Sequence, residues 1–454
     1  MKISHKQHGL WFDIGRFVLY NIHAMKRKKS IAAILLIVTL LVTLAGCTTY
    51  DNFKDAFFAD KKAEEGPTIK IGVYEPMTGQ YKGNAKDELV GIELANELFP
   101  EILGKKVELL YADNQSSMYD AESVIAELVA KDPIMILGSY GNVLSLVASD
   151  TILANSIPTI TISATNPLLT QNNSYYFRAT YSETQQGSAL ADFAVKDQGK
   201  IQFAAVKPYN DDLATETIKK YASRVKKLTG ESDNNLGTLT VGMGATNFTD
   251  TITLLMKSEP EVVFLCVPDT IAKSFLNQCV EAGFTSPLFL GLRSWDNEKM
   301  ENYIRSTASK LKIAYPVEYP SVETYMRQRF LDAYHEKYGA NAEPSGTCAL
   351  AFDAYCISLK AIEDAYHQIE MTDVEDLVAS IENDAETKAI RVAISYALET
   401  GIPYGRRIKE VLTTIDDFEG ASGIISFGGN NEATKTVTIS HFFDGTKMPD
   451  FVVD

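Results

Sequence analysis

Three short runs carry residue types that could hold a charged small molecule. Gly138-Ser139-Tyr140-Gly141-Asn142 precedes a helix-like stretch opening near Val143, and the free N–H groups of a helix start suit a carboxylate. Ser163-Ala164-Thr165 places two hydroxyls after a strand-like run, where they could bind a ligand or simply cap the next turn. Gly291-Leu292-Arg293-Ser294-Trp295-Asp296 sets an arginine beside an acid. A buried arginine needs a partner, so Arg293 pairs with a neighbouring Asp or awaits an anionic ligand group. Gln80 and Tyr81 follow the first apolar run, Tyr209 and Asp212 a later one, and Asp269 another. Asp212, Asp269 or Asp296 could supply the counter-charge for an ammonium.

Catalysis finds less support. After residue 46 the histidines are His335, His367 and His441, far apart in the chain. There is no Gly-x-Ser-x-Gly, no Cys-x-x-Cys, and no His/Asp/Glu spacing suited to a metal. The acids are too numerous for any pair to indicate a glycosidase. No cofactor and no metal are expected.

The elements that must position these runs alternate. Strand patterns at 69–73, 107–111, 134–137 and 158–162 are separated by helical ones, which argues for βαβ units and a parallel sheet. A second set follows, with strands at 202–206, 239–241, 262–267 and, last of the group, 288–290. Open parallel sheets bind ligands at the carboxyl ends of their strands, where the runs above lie. Two sets suggest two sheets and two lobes, as 454 residues would also suggest. Beyond Tyr319 the pattern is helical until 423–427 and 436–443, which alternate around Gly428-Gly429-Asn430-Asn431 as a hairpin would. Cys348 and Cys356, eight apart on one helix, cannot bridge to each other.

The N-terminus is different. Lys26-Arg27-Lys28-Lys29 precedes the uncharged, largely apolar stretch 31–46, the order of a secretory signal and short for a membrane span. Met25 is a possible true start. Leu44-Ala45-Gly46-Cys47 resembles the lipobox of bacterial lipoproteins. The resemblance implies cleavage before Cys47, lipidation of its thiol and anchoring in the bilayer. Residues 47–67 then read as a tether. Removing 1–46 leaves a net charge of about −22 on 408 residues, which disfavours a nucleic-acid partner.

From Ile69 onward the chain resembles the type I periplasmic binding proteins, in particular the branched-chain amino-acid (Leu/Ile/Val) binding family of ABC uptake systems. The carriers include Glu75-Pro76-Met77-Thr78-Gly79-Gln80-Tyr81, Leu137-Gly138-Ser139, Ser163-Ala164-Thr165-Asn166-Pro167, Glu281-Ala282-Gly283-Phe284, Phe352-Asp353-Ala354-Tyr355 and Phe418-Glu419-Gly420-Ala421-Ser422-Gly423. The resemblance implies two doubly wound α/β lobes joined by three crossing strands. Lobe one would hold 68–184 plus 320–418, and lobe two 185–316 plus 423–454. It further implies capture of an amino acid or similar small polar molecule outside the cytoplasm, for an ABC permease. Sensing for a membrane partner, or an extracytoplasmic hydrolase, are the alternatives. Family positions matching Ser163 and Thr165 bind the α-carboxylate and α-amine, and those near Gln80 and Tyr81 often meet the ligand's side chain. Two departures stand out: Val143 where a serine is common, and Arg293 near the place of an ammonium-binding carboxylate. The stretch 383–414 is longer than usual, as an added helix pair or a partner contact.

Overall fold

The computed structural model describes residues 67–317, 324–379, 381 and 383–453. The expected signal, the tether up to residue 66 and Cys47 lie outside these residues.

The first lobe is built on a six-stranded sheet. Its strands are β1 (Ile69–Glu75), β2 (Glu101–Ile102), β3 (Lys105–Asp113), β4 (Met135–Gly138), β5 (Thr159–Thr161) and β6 (Tyr176–Arg178), in the order β2-β3-β1-β4-β5-β6. All neighbours are parallel except β2 with β3. Helices α1 (Lys82–Leu98), α2 (Met118–Val129), α3 (Asn142–Ala154) and α4 (Leu168–Gln171) connect them. β4 and β5 are buried along their length, as strands covered on both faces must be.

The chain then passes through α5 (Glu183–Asp192), which packs against α6 (Asp212–Thr229) of the second lobe. The parallel strands β7 (Phe203–Pro208), β8 (Asn235–Val241), β9 (Val262–Leu265), β10 (Leu288–Leu290) and β11 (Lys312–Val317) follow, with α7 (Thr249–Ser258), α8 (Asp269–Glu281) and α9 (Glu298–Ser306) between them. β11 was not foreseen in the sequence. Its Pro316 breaks the strand signature, and a proline is tolerated there because the pairing with β10 ends at Ala314, which leaves β15 as the neighbour at Pro316. The second sheet lies between two apolar clusters, one around Phe275, Phe289 and Trp295, the other around Phe203, Tyr221 and Phe264.

Beyond Thr324 come α10 (Tyr325–Tyr338), α11 (Gly346–Met371), α12 (Val374–Val378), α13 (Asp384–Thr400) and α14 (Gly405–Leu412). The long stretch 383–414 is thus a helix pair. Ile394 and Ala397 of α13 close a small core with Ile369 and Val378.

The C-terminal segment corrects two expectations. β12 (Phe418–Gly420), β13 (Gly423–Phe427) and β14 (Ala433–Lys435) form their own antiparallel sheet. The hairpin around 428–431 therefore joins β13 to β14, and not to 436–443. This small sheet packs on the first lobe, not the second. Phe427 meets Phe177 edge-on, Glu432 pairs with the buried Arg178, and the Asp353 carboxylate of α11 accepts the Ala421 and Ser422 N–H groups. Only β15 (Val437–Phe443), β16 (Thr446–Lys447) and β17 (Phe451–Val453) join the second sheet, where β15 runs antiparallel to β11.

Candidate functional site

The carboxyl ends of β4 and β5 face those of β9 and β10 across a cavity of about 770 Å³. Tyr140, Ser163 and Thr165 line it from the first lobe; Asp269, Arg293 and Asp296 line it from the second. Glu183 and Gln186 of α5 form its inner end. A capping box fixes that end, because Ser182 and Gln185 exchange bonds between side chain and backbone and so set Glu183 in the first helical turn.

The first-lobe wall is a closed polar network. Asn142 Oδ1 accepts the Thr165 and Asn166 N–H groups at 2.7 and 2.9 Å, and Ser163 Oγ accepts the Gly141 N–H at 3.3 Å. The Tyr140 N–H donates to Glu75 Oε2 at 2.9 Å. Backbone donors at 140, 141, 165 and 166 therefore already serve side chains. Thr165 instead offers its hydroxyl, which donates to Glu183 Oε1 at 2.9 Å.

Arg293 comes from the opposite wall, in the short turn after β10. Its guanidinium Nη2 donates to the carbonyl of Ser163 at 2.9 Å, while its backbone N–H donates to Gln186 Oε1 at 2.9 Å. Two bonds thus cross the cleft, Arg293 to Ser163 and Thr165 to Glu183, and Arg293, Ser163 and Thr165 are residues singled out as ligand contacts. Burial raises the Glu183 carboxyl, while Thr165 and Arg293 pull it down.

Behind Ser163 and Tyr140 lies an acidic pair absent from the sequence reading. Glu75 and Glu88 are wholly buried, and Glu75 Oε1 and both Glu88 oxygens lack a hydrogen-bond partner of good geometry. Burial and the neighbouring Glu88 hold Glu75 well above the usual carboxylate range. Burial pushes Glu88 up to about 7, against the pull of Ser163, Glu75 and Arg293. Two adjacent carboxyls shut from water retain a proton that isolated ones would lose. The structure extends β1 to Glu75, two residues past the expected strand, and sets Glu88 on the inward stripe of α1 with Ala85, Ile92 and Ala95.

The remaining expected residues fall outside the cavity lining. Trp295 is fully buried in the second-lobe core, its indole N–H bonded to the Val267 carbonyl at 3.1 Å; it is a packing residue. Ser139 is equally buried and accepts from Asn114 at 2.9 Å. Asn142 supports the wall from behind. Gln80 and Tyr81 are exposed in the first loop, with the Tyr81 ring 6.2 Å from that of Tyr140. Tyr209 is exposed, and Asp212 lines a separate cavity of about 820 Å³. Asn84, Asp87, Glu183 and Gln186 line the main cavity and were missed, since helix-start residues in a charged sequence carry no distinguishing pattern.

Among the described residues no group of three His, Cys, Asp or Glu could hold a metal ion, and no helix is long and apolar enough to cross a membrane. All four described cysteines are buried and free.

Residues 68–431 match the periplasmic binding protein family. A relative from Brucella melitensis biotype 1, described as a Leu/Ile/Val-binding protein homologue, is 27% identical over 171 residues, which is 37% of this chain and 44% of the relative. The match thus spans less than half the length of that relative. A leucine binding protein structure from Thermotoga maritima MSB8 superposes with a TM-score of 0.66 at 23% identity, covering 85% of this chain and 99% of that one. A solute binding protein of an ABC transporter from Rhodopseudomonas palustris HaA2, in complex with p-hydroxybenzoic acid, gives 0.64 at 16% identity, covering 85% and 97%.

Proposed function

The chain belongs to the periplasmic binding protein family, and on that premise we propose that it captures an amino acid for an ABC transporter, without turning it over. The two bonds that cross the cleft support this reading most. Arg293 and Glu183 are opposite charges held by a carbonyl and a hydroxyl of the first lobe. An α-amino acid can take over both bonds. Its carboxylate accepts from Arg293 and from the Thr165 hydroxyl, and its ammonium donates to Glu183 and to the Ser163 carbonyl. Arg293 then exchanges a carbonyl for a carboxylate and Glu183 a hydroxyl for an ammonium, each a more strongly charge-assisted partner, while Thr165 and Ser163 keep partners of the same kind. An aromatic acid offers only the anion, which would leave Glu183 and the Ser163 carbonyl without a donor. Ligand contacts on both lobes favour the closed arrangement, which is how occupancy would be signalled to a permease.

A thermal-shift screen against amino acids, small amides, short peptides and carboxylates tests the proposal. Amino acids are expected to raise Tm by several degrees at millimolar concentration. A shift with benzoates and none with amino acids would contradict it.

The lipobox-like run supports the further proposal that the protein is held to the outer face of the membrane through Cys47. Cys47→Ala is expected to move it from the membrane fraction to the soluble one on cell fractionation; full membrane retention would point to another anchor.

A further inference from the structure

We infer that the first-lobe corner formed by Asn84, Asp87 and Thr347 takes a cationic side-chain end, making the ligand a dibasic amino acid. This rests on the amino-acid reading above and extends it from the backbone groups to the side chain.

The cavity is the wrong container for an aliphatic side chain. Among the described residues Leu292 is the only aliphatic one that faces it and Tyr140 the only ring. Burying a leucine side chain stabilises only where apolar surface covers it, and here the walls are polar or charged. A Leu/Ile/Val ligand would therefore gain little from the contact. It would also strip water from acids that offer it no compensating bond.

The charges point the same way. Among the described residues five carboxylates face the cavity against two cations, Arg293 and Lys299. Asp269 is tied to Lys273 at 3.1 Å on its own helix, and Glu183 is committed to the ammonium end. Asp87 is different. Among the described residues it forms no ion pair or hydrogen bond; burial raises the thiol of Cys348 and the phenol of Tyr334 behind it, and the neighbouring Asp87 adds to both. It is half-buried near the start of α1, beside Asn84 and across from Thr347 at the start of α11. Gly83 adds no side chain and has open space where a Cβ would be. A lysine, ornithine or arginine side chain fits this corner chemically, with its cation against Asp87 and its remaining N–H groups against Asn84 and Thr347. The pairing also offsets the negative balance that a singly charged ammonium would leave.

Calorimetric titration of the wild type with L-lysine, L-ornithine, L-arginine, L-leucine and L-isoleucine decides the matter, together with Asp87→Asn and Asp87→Glu. The dibasic amino acids are expected to bind at least tenfold tighter than leucine. Asp87→Asn should weaken lysine at least tenfold and leucine less than threefold, and Asp87→Glu should restore most of the loss. Melting curves of both variants confirm that they fold. Leucine binding as tightly as lysine, or Asp87→Asn weakening both alike, would overturn this inference alone. Absence of binding by every amino acid would overturn the amino-acid reading and this inference with it.

Discussion

The two walls of the cleft differ in how their polar groups are held. On the first lobe Ser139, Ser163 and Thr165 are buried, and Asn114, Asn142 and Glu75 bind the surrounding loop groups. On the second lobe Ser294, Asp296 and Glu298 are exposed, and Asp269 is anchored only within its own helix. The first wall is pre-organised, so a ligand meets groups whose ordering cost was met on folding. The second can adjust during closure. Arg293 is the exception, a second-lobe side chain whose position is set by the first lobe.

Changes at Arg293 should therefore have the largest effect on binding and changes behind the first wall the largest on stability. Arg293→Ala is expected to weaken the best amino acid from the screen by about 100-fold, or about 2.7 kcal/mol, measured by calorimetry. A loss under threefold would mean that the second wall closes on the ligand without recognising it. Asn142→Ala leaves the Thr165 and Asn166 N–H groups without their acceptor and is expected to destabilise by about 1–3 kcal/mol, read from the urea midpoint. An unchanged midpoint would show that the first wall is as adaptable as the second.

A third contrast is a pH dependence. Glu88 has an ordinary value of 4.5 and is raised to about 7 in the folded chain, so the folded state binds its proton more tightly than the unfolded one. That contribution is fully present below about 4.5 and is lost as pH rises through about 7. Glu88→Gln removes it, so the variant should gain stability relative to wild type as pH rises from 4.5 to 7.5. Parallel urea midpoints across that range would show that the buried pair does not hold a proton.

The same contrast explains what could be read from the sequence. Ser163 and Thr165 were legible because they follow a short strand of alternating Thr and Ile, and a strand's carboxyl end is where open sheets bind. Arg293 was legible as a charge in the equivalent place. Trp295, two residues on, looked equally suited, but the turn after β10 points it into the core, and no pattern of spacing encodes that direction. Gly291 is its hidden counterpart, since a Cβ there would collide with the indole ring. Glu88 was hidden because a carboxylate on the apolar stripe of a helix is read as a solvated acid. The C-terminal hairpin was misread because three residues, 433–435, are too few to compete with the longer run at 437–443.

The most direct test is a crystal structure of the protein grown with the amino acid that gives the largest thermal shift. The account requires the ligand between the lobes, its carboxylate within hydrogen-bond distance of Arg293 and Thr165 and its ammonium on Glu183 and the Ser163 carbonyl. An amino acid bound elsewhere, or one whose carboxylate avoids Arg293 while the bond from Arg293 to Ser163 persists, would contradict it.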